Sequence, residues 1–183
     1  EGTVVMRGPV TSSVNSTLEI EKGKAILTGE YGGMTLSGTA ARIYVGRNGG
    51  NGTLVIRNGV HMTGSVNDEA NANFVGVGAW GRLFMEGGSL TMRYLREAIN
   101  NGSAEIVVNG GELSVWGGSE TATRSGYALM IGNQHQDNGT ATSGSGTLTV
   151  NGGSALFTNG IIKIASDNAA STGAQTVNLS GGE

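Results

Sequence analysis

The residues that come nearest to catalytic chemistry are the only three aspartates of the chain, Asp68, Asp137 and Asp167. Carboxylates gathered on one face, with Arg or Lys nearby, are what carbohydrate-cleaving enzymes use. Each aspartate follows a polar stretch typical of a loop, where turn formation and solvation already account for it. We therefore expect no enzyme. A carbohydrate-active enzyme stays as an alternative, in which the three aspartates would meet in one groove.

Metal and acid–base chemistry find little support in the sequence. His61 and His135 are the only histidines, and they do not share a repeat position. Glycine-rich repeats that bind calcium place an aspartate after the glycines, and residues 49–53 and 144–147 have none. A single calcium in the loop at residues 67–69 stays open. We otherwise predict no metal and no cofactor.

The charge distribution bounds the class of partner. The chain carries a formal charge of -3 and no cluster of Lys or Arg, which argues against nucleic acid. No apolar run approaches the roughly 20 residues that span a bilayer. Trp80 and Trp116 lie near glycines, where each either stacks on a sugar or caps a corner of the chain. A host surface or a carbohydrate remains as a ligand.

The dominant pattern is a repeated phrase, an apolar-x-apolar triplet closed by a glycine five residues after its first member. Glycine makes up 34 of 183 residues, and Asn-Gly occurs eight times. The phrase begins at Leu18, Leu54, Leu83, Ile106, Leu148 and Val177. Successive phrases begin 36, 29, 23, 42 and 29 residues apart. A constant phrase that recurs at variable intervals indicates stacked structural units joined by loops of different length.

Two further strand-like segments accompany most phrases. The upstream segments begin at Ile43, Phe74, Leu129 and Ile162, and the downstream pairs are Ala25/Leu27, Leu90/Met92, Leu113/Val115 and Ala155/Phe157. Val60 and Met62 are out of phase by one residue, a slip that a bulge would absorb. Residues 92–101 have some helical character, but their position favours a strand with Leu95 inward.

Three short strands per unit predict an all-β, right-handed parallel β-helix of about six coils with polar loop excursions. An antiparallel meander or β-sandwich competes, since Asn-Gly also marks hairpins. The single domain covers residues 1–183, as part of a longer repeat array or as a stacking protomer. Two interior ladders follow from the stacking. The first contains Leu18, Leu54, Leu83, Ile106, Leu148 and Val177, and the second Ile20, Ile56, Met85, Val108, Val150 and Leu179.

The middle residue of each triplet should face solvent, and in three consecutive units it is apolar. Val55, Phe84 and Val107 would form a stripe, which is either a contact face or a flank covered by a loop.

The two ends of the repeat array look unfinished. Residues 2–8 resemble the downstream strand at 112–117, and residues 180–183 stop where another strand would begin. Ends of a solenoid expose unpaired strand edges. We therefore predict end-to-end stacking residues at Val4, Val5, Met6, Val177 and Leu179, unless the chain belongs to a longer array.

The residues of the repeated phrase resemble the repeats of a known family. Residues 146–153 (GTLTVNGG) and 52–59 (GTLVIRNG) are similar to the glycine-rich repeats of bacterial autotransporter passenger domains and related surface-displayed proteins. The resemblance implies export to the bacterial cell surface on a parallel β-helix. We accordingly expect an extracellular, non-enzymatic, adhesin-like passenger or stalk segment. The first alternative is the protomer of an extracellular filament that assembles head to tail.

Overall fold

The computed structural model of the chain describes residues 2–7, 10–12, 17–29, 34–36, 42–46, 49–63, 74–77, 80–92, 94–97, 102–116, 127–131, 144–158, 160–164 and 173–182. These residues are nearly all strand, which confirms the all-β prediction. The strands are β1 (Thr3–Arg7), β2 (Val10–Ser12), β3 (Thr17–Ile20), β4 (Lys24–Thr28), β5 (Met34–Leu36), β6 (Arg42–Val45), β7 (Thr53–Ile56), β8 (His61–Thr63), β9 (Phe74–Val77), β10 (Arg82–Met92), β11 (Tyr94–Glu97), β12 (Ser103–Val115), β13 (Tyr127–Ile131), β14 (Ser145–Val150), β15 (Ser154–Phe157), β16 (Ile161–Ile164) and β17 (Gln175–Leu179).

The strands fall into three groups that the chain visits in turn, and we call one round through the three groups a passage. The first group has the order β1-β4-β7-β10-β12-β14-β17, and the third has the order β3-β6-β9-β11-β13-β16. In the second group β2 pairs with β5, β5 lies against β8, and the later halves of β10 and β12 continue the path from β8 to β15. Every pairing is parallel. Among the described strands, neither large sheet closes on itself.

The core combines buried residues of all three strand groups, and the first group illustrates the pattern. Leu54, Leu83 and Ile106 are register neighbours and fully buried, because side chains two apart on a strand point to the same face. The neighbouring column of Ile56, Met85 and Val108 is also fully buried. Burial is lost only at the outermost strands. Stacked passages thus share one continuous apolar interior.

The prediction that the triplet at Leu18 belongs to the same strand group as the later triplets is wrong. Leu18 and Ile20 lie on β3 and pair with Ile43 and Val45 in the third group, not with the triplet at residue 54. The strand beside that triplet is β4, where Ala25 pairs with Leu54 and Leu27 with Ile56. All three groups use the same apolar-x-apolar spacing, so spacing alone does not distinguish one group from another.

The N-terminal segment needs the same correction. Its sequence resembles the downstream strand at 112–117, yet β1 pairs with β4 in the first group, with Val5 opposite Ile26. Two finer predictions are confirmed. Residues 94–97 form a strand with Leu95 fully buried. The one-residue slip is also present, because Ile56 pairs with Met85 whereas Met62 pairs with Leu90.

The corner after the triplet strand is glycine in successive passages for two reasons. Gly59, Gly88, Gly111 and Gly153 have φ angles of 78°, 73°, 83° and 73°, a region that side chains disfavour. Each also lies directly against backbone of the preceding passage. Polar side chains bridge the passages beside these glycines. Arg57 Nε donates to Glu86 Oε2 at 2.8 Å, and Asn151 Nδ2 donates to Asn109 Oδ1 at 2.9 Å.

Candidate functional site

An open cleft of about 800 Å³ lies where the chain passes from the third strand group to the first. Its described lining comes from four successive passages. Lys24, Thr53 and Arg82 are register neighbours at the start of β4, β7 and β10, and Thr3 of β1 pairs with Lys24. One edge of the cleft is therefore a straight column in which threonine and a cation alternate.

The floor of the cleft is glycine backbone. A Cβ on Gly23 would lie 2.6 Å from the carbonyl oxygen of Gly2, and a Cβ on Gly50 would overlap the carbonyl oxygen of Glu21 in the preceding passage. The backbone here is firmly paired, since Thr53 N donates to Gly23 O at 2.9 Å and Arg82 N to Gly52 O at 3.0 Å. Gly2, Gly23, Gly49 and Gly50 line this part of the cleft without side chains.

The walls carry positive charge and one indole. Lys22, Lys24 and Arg82 line the cleft together with Trp80, and the described lining contains no carboxylate. Trp80 is 54% exposed. Arg82 Nε is 3.8 Å from Glu105 Oε2, a long ion pair between exposed side chains. Since a guanidinium has five N–H donors, this contact leaves Arg82 able to bind a ligand anion. The site can hold an anionic ligand that has an apolar face.

The apolar stripe is in register, but part of it is not exposed. Phe84 pairs with both Val55 and Val107. The expectation that these middle residues face solvent is wrong for Val55 and Val107, which are 2% and 7% exposed. Three consecutive buried residues in β7 and in β12 mark strands covered on both faces. The burial favours the covered-flank alternative over the contact face.

The corrected first unit lengthens this stripe. With β4 rather than β3 beside β7, Ile26 is the register neighbour of Val55, and Val5 is the neighbour of Ile26. The column therefore runs through five apolar residues before Thr149 and Asn178 end it. On the same strand face it is adjacent to the column of Lys24 and Arg82 that edges the cleft.

Exposed apolar residues concentrate on the outermost strands. Val4 and Val5 on β1 are 59% and 46% exposed, and Leu179 on β17 is 73% exposed. Met6 and Val177 are half-buried against the core. Ile162 and Ile164, register neighbours of buried residues on β13, are exposed as well. Apart from Val5, which belongs to the stripe of middle residues, these are interior positions of the ladders that have a neighbouring strand on one side only.

The structure describes only one of the candidate catalytic residues, His61. Asp68, Asp137, Asp167 and His135 lie outside the described residues. His61 is on β8, where its Nδ1 is 2.8 Å from Oγ of Ser89 on the paired strand. The part of the chain that the structure describes contains no group of three acidic or histidine residues able to hold a metal ion. The calcium alternative at residues 67–69 also falls outside the described residues.

Sequence pattern does not predict the cleft, because its cations Lys24 and Arg82 are far apart in the chain. A signal was present: Lys24 and Arg82 each follow a corner glycine directly, and Trp80 precedes one. Taken alone, Trp80 predicts either a platform for a sugar ring or a cap at a corner of the chain. Trp116, the other candidate, is 44% exposed and does not line the cleft.

Comparisons with models of known protein families, with curated proteins and with solved structures find no match. Within the described ranges, no helix has the length and apolar character to cross a membrane.

Proposed function

We propose that the chain is a right-handed parallel β-helix of about six coils that acts without catalysis, as an adhesin-like passenger or stalk segment at the bacterial cell surface. The observation that carries the proposal is the cyclic order of the three strand groups. From β1 to β17 each passage adds one strand to the first group and one to the third, in parallel and next to the preceding passage. The described segments of the second group also pair in parallel. The handedness follows the general preference of parallel crossover connections.

The internal contacts support a structural rather than a catalytic role. Described polar side chains bond from one passage to the next, as Arg57 does with Glu86 and Asn151 with Asn109. Ser180 Oγ continues that column by donating to Asn151 Oδ1 at 2.6 Å. Such columns reinforce the stacking direction. The resemblance of residues 146–153 to autotransporter repeats supports display outside the cell.

Cysteine pairs test the stacking, since the natural chain has no cysteine. Thr149 and Asn178 are register neighbours on β14 and β17, so T149C/N178C should oxidise to a disulfide, because neighbouring strands bring Cα atoms within the usual disulfide range. T149C/Q175C is the matched control and should stay reduced. Oxidation of the control pair with equal ease, or antiparallel pairing in a cysteine scan, would contradict the β-helix.

Surface labelling tests the function separately. An antibody raised against the chain should label intact cells of the bacterium that makes it, without permeabilisation. Labelling that requires permeabilised cells would contradict display. Purified protein should release no products from polysaccharides, whereas hydrolysis that is lost in D68N, D137N or D167N would favour the enzyme.

The exposed ends favour one alternative, a protomer that stacks head to tail into a filament. β1 and β17 are the two ends of the same sheet, and the apolar residues Val4 and Leu179 lie on them. A β17 edge meeting a β1 edge gives a heterologous contact that does not close. Electron microscopy over a concentration series should show filaments that V4E or L179E abolishes and W116E leaves intact. Strictly monomeric particles at every concentration would contradict the filament.

A further inference from the structure

We propose that the cleft lined by Lys22, Lys24, Trp80 and Arg82 binds an acidic polysaccharide that carries one carboxylate or sulfate on every second sugar. The inference rests on the proposed function, because it gives the displayed segment its ligand. It starts from the charge of the cleft. The chain has a net charge of -3, yet the described lining holds three cations and no carboxylate.

The spacing of the cations selects the charge density of the ligand. Lys24 and Arg82 occupy the same position two strands apart, with Thr53 between them. Parallel strands are spaced by about 4.8 Å, so the two cations start roughly 9.6 Å apart along the stack. That length is comparable to a disaccharide in an extended polysaccharide. A polymer lying along the column would present one anion to each cation and hydroxyl groups to Thr53.

Trp80 supplies the apolar contact that sugar rings need. Its indole is 54% exposed at the cleft. The C–H face of a pyranose ring packs on such an aromatic surface, and the polar groups around it fix orientation. The cleft is open and has a volume of about 800 Å³, and four of its described lining residues are glycines, so few side chains stand in the way of a sugar chain.

A nucleic acid is the competing polyanion, and the charge count disfavours it. Duplex DNA carries one charge per about 1.7 Å of axis and is bound by surfaces that neutralise many phosphates. Three cations on a protein of net negative charge are too few for such a partner. An acidic polysaccharide with separated charges needs no more than these three cations.

The test uses the full chain with W116F, which leaves Trp80 as the only indole because the sequence contains two tryptophans. A hyaluronan hexasaccharide should change the emission of Trp80 and bind in titration calorimetry. N-acetylchitohexaose, a neutral polymer of related sugars, should not bind. K22E/K24E should weaken hyaluronan binding by at least about tenfold, since it reverses two charges facing the anion.

R7E/R57E is the matched control, because it changes the net charge equally and both residues are described as exposed and lie outside the described lining. It should bind hyaluronan as the parent does. Equal loss in both double variants, equal binding of chitohexaose, tighter binding of an oligothymidylate, or no binding at all would each overturn the proposal. Disulfide formation in T149C/N178C, measured on the same sample, tests the β-helix independently of the polysaccharide ligand. Normal cross-linking without hyaluronan binding refutes only the ligand.

Discussion

The carbonyl oxygen of Gly88 occupies the space that a side chain on Gly111 would need. A Cβ built on Gly111 overlaps that oxygen, and Gly111 has a φ of 83°. Gly111→Ala therefore has to relieve both a backbone clash and a strained dihedral. We expect a loss of at least about 3 kcal/mol in the free energy of unfolding, measured by urea denaturation followed by circular dichroism.

Gly49→Ala separates these two effects. Gly49 has a similar φ of 82°, but a Cβ there meets nothing within 4 Å. Only the dihedral is strained, and the expected loss is about 1–2 kcal/mol. Equal losses in the two variants would mean that close stacking of the passages contributes nothing at Gly111.

Leucines inside and outside the ladders should respond very differently to truncation. Leu95 is fully buried on β11, whereas Leu156 on β15 is 51% exposed. Leu95→Ala should reduce the free energy of unfolding by about 2–5 kcal/mol because it leaves a cavity. Leu156→Ala should change it by less than about 0.5 kcal/mol. A larger effect at Leu156, measured at several protein concentrations, would point to a contact between copies at that strand.

Gln175 fixes the corner that leads into β17. Its Nε2 donates to Gly144 O at 2.8 Å and to Gly173 O at 3.1 Å, and its Oε1 accepts from Gly146 N at 2.9 Å. Gln175→Ala removes all three bonds, with an expected cost of about 1–3 kcal/mol. The isosteric Gln175→Glu keeps the acceptor and loses both donated bonds. Hydrogen exchange should show faster exchange of β17 amides in both variants, and unchanged exchange would refute the role of Gln175.

The Arg57–Glu86 ion pair should contribute little energy. Both side chains are nearly half exposed, at 47% and 44%, although Nε and Oε2 are 2.8 Å apart. A double-mutant cycle with R57A and E86A should give a coupling of about 0.2–1 kcal/mol, and about 1 M salt should remove most of it. A coupling that persists in high salt would show that the pair is more shielded from solvent than these exposures indicate.

The positions of the strands could be predicted from the sequence, but the group to which each strand belongs could not. Alternation of apolar residues located Leu54, Leu83 and Ile106 correctly, since burial on one face imposes a period of two. The same alternation at Leu18 and at Ala25 is equally regular, and only the partner strand decides between them. The same error shortened the predicted stripe. The middle residue of the first triplet, Glu19, lies on β3, and the residue beside Val55 is Ile26 of β4.

The cleft could not be predicted from the sequence for a different reason. Lys24 and Arg82 are 58 positions apart in the chain, and their proximity depends on the number of strands between them. Once β4, β7 and β10 are known to be consecutive, the column follows directly. The exposure of Trp80 and the burial of Val55 depend on neighbouring passages, so the local alternation of apolar residues does not predict them.

The pairing of Phe84 with Val107 and of Val107 with Thr149 has an evolutionary consequence. The first pair is joined through 23 positions of sequence and the second through 42, yet both preserve the same register. Insertions and deletions between strands therefore leave the ladder unchanged. Such a chain can acquire or shed whole surface segments under selection while its scaffold remains constant, so variation among descendants should accumulate in the connections rather than in the strands.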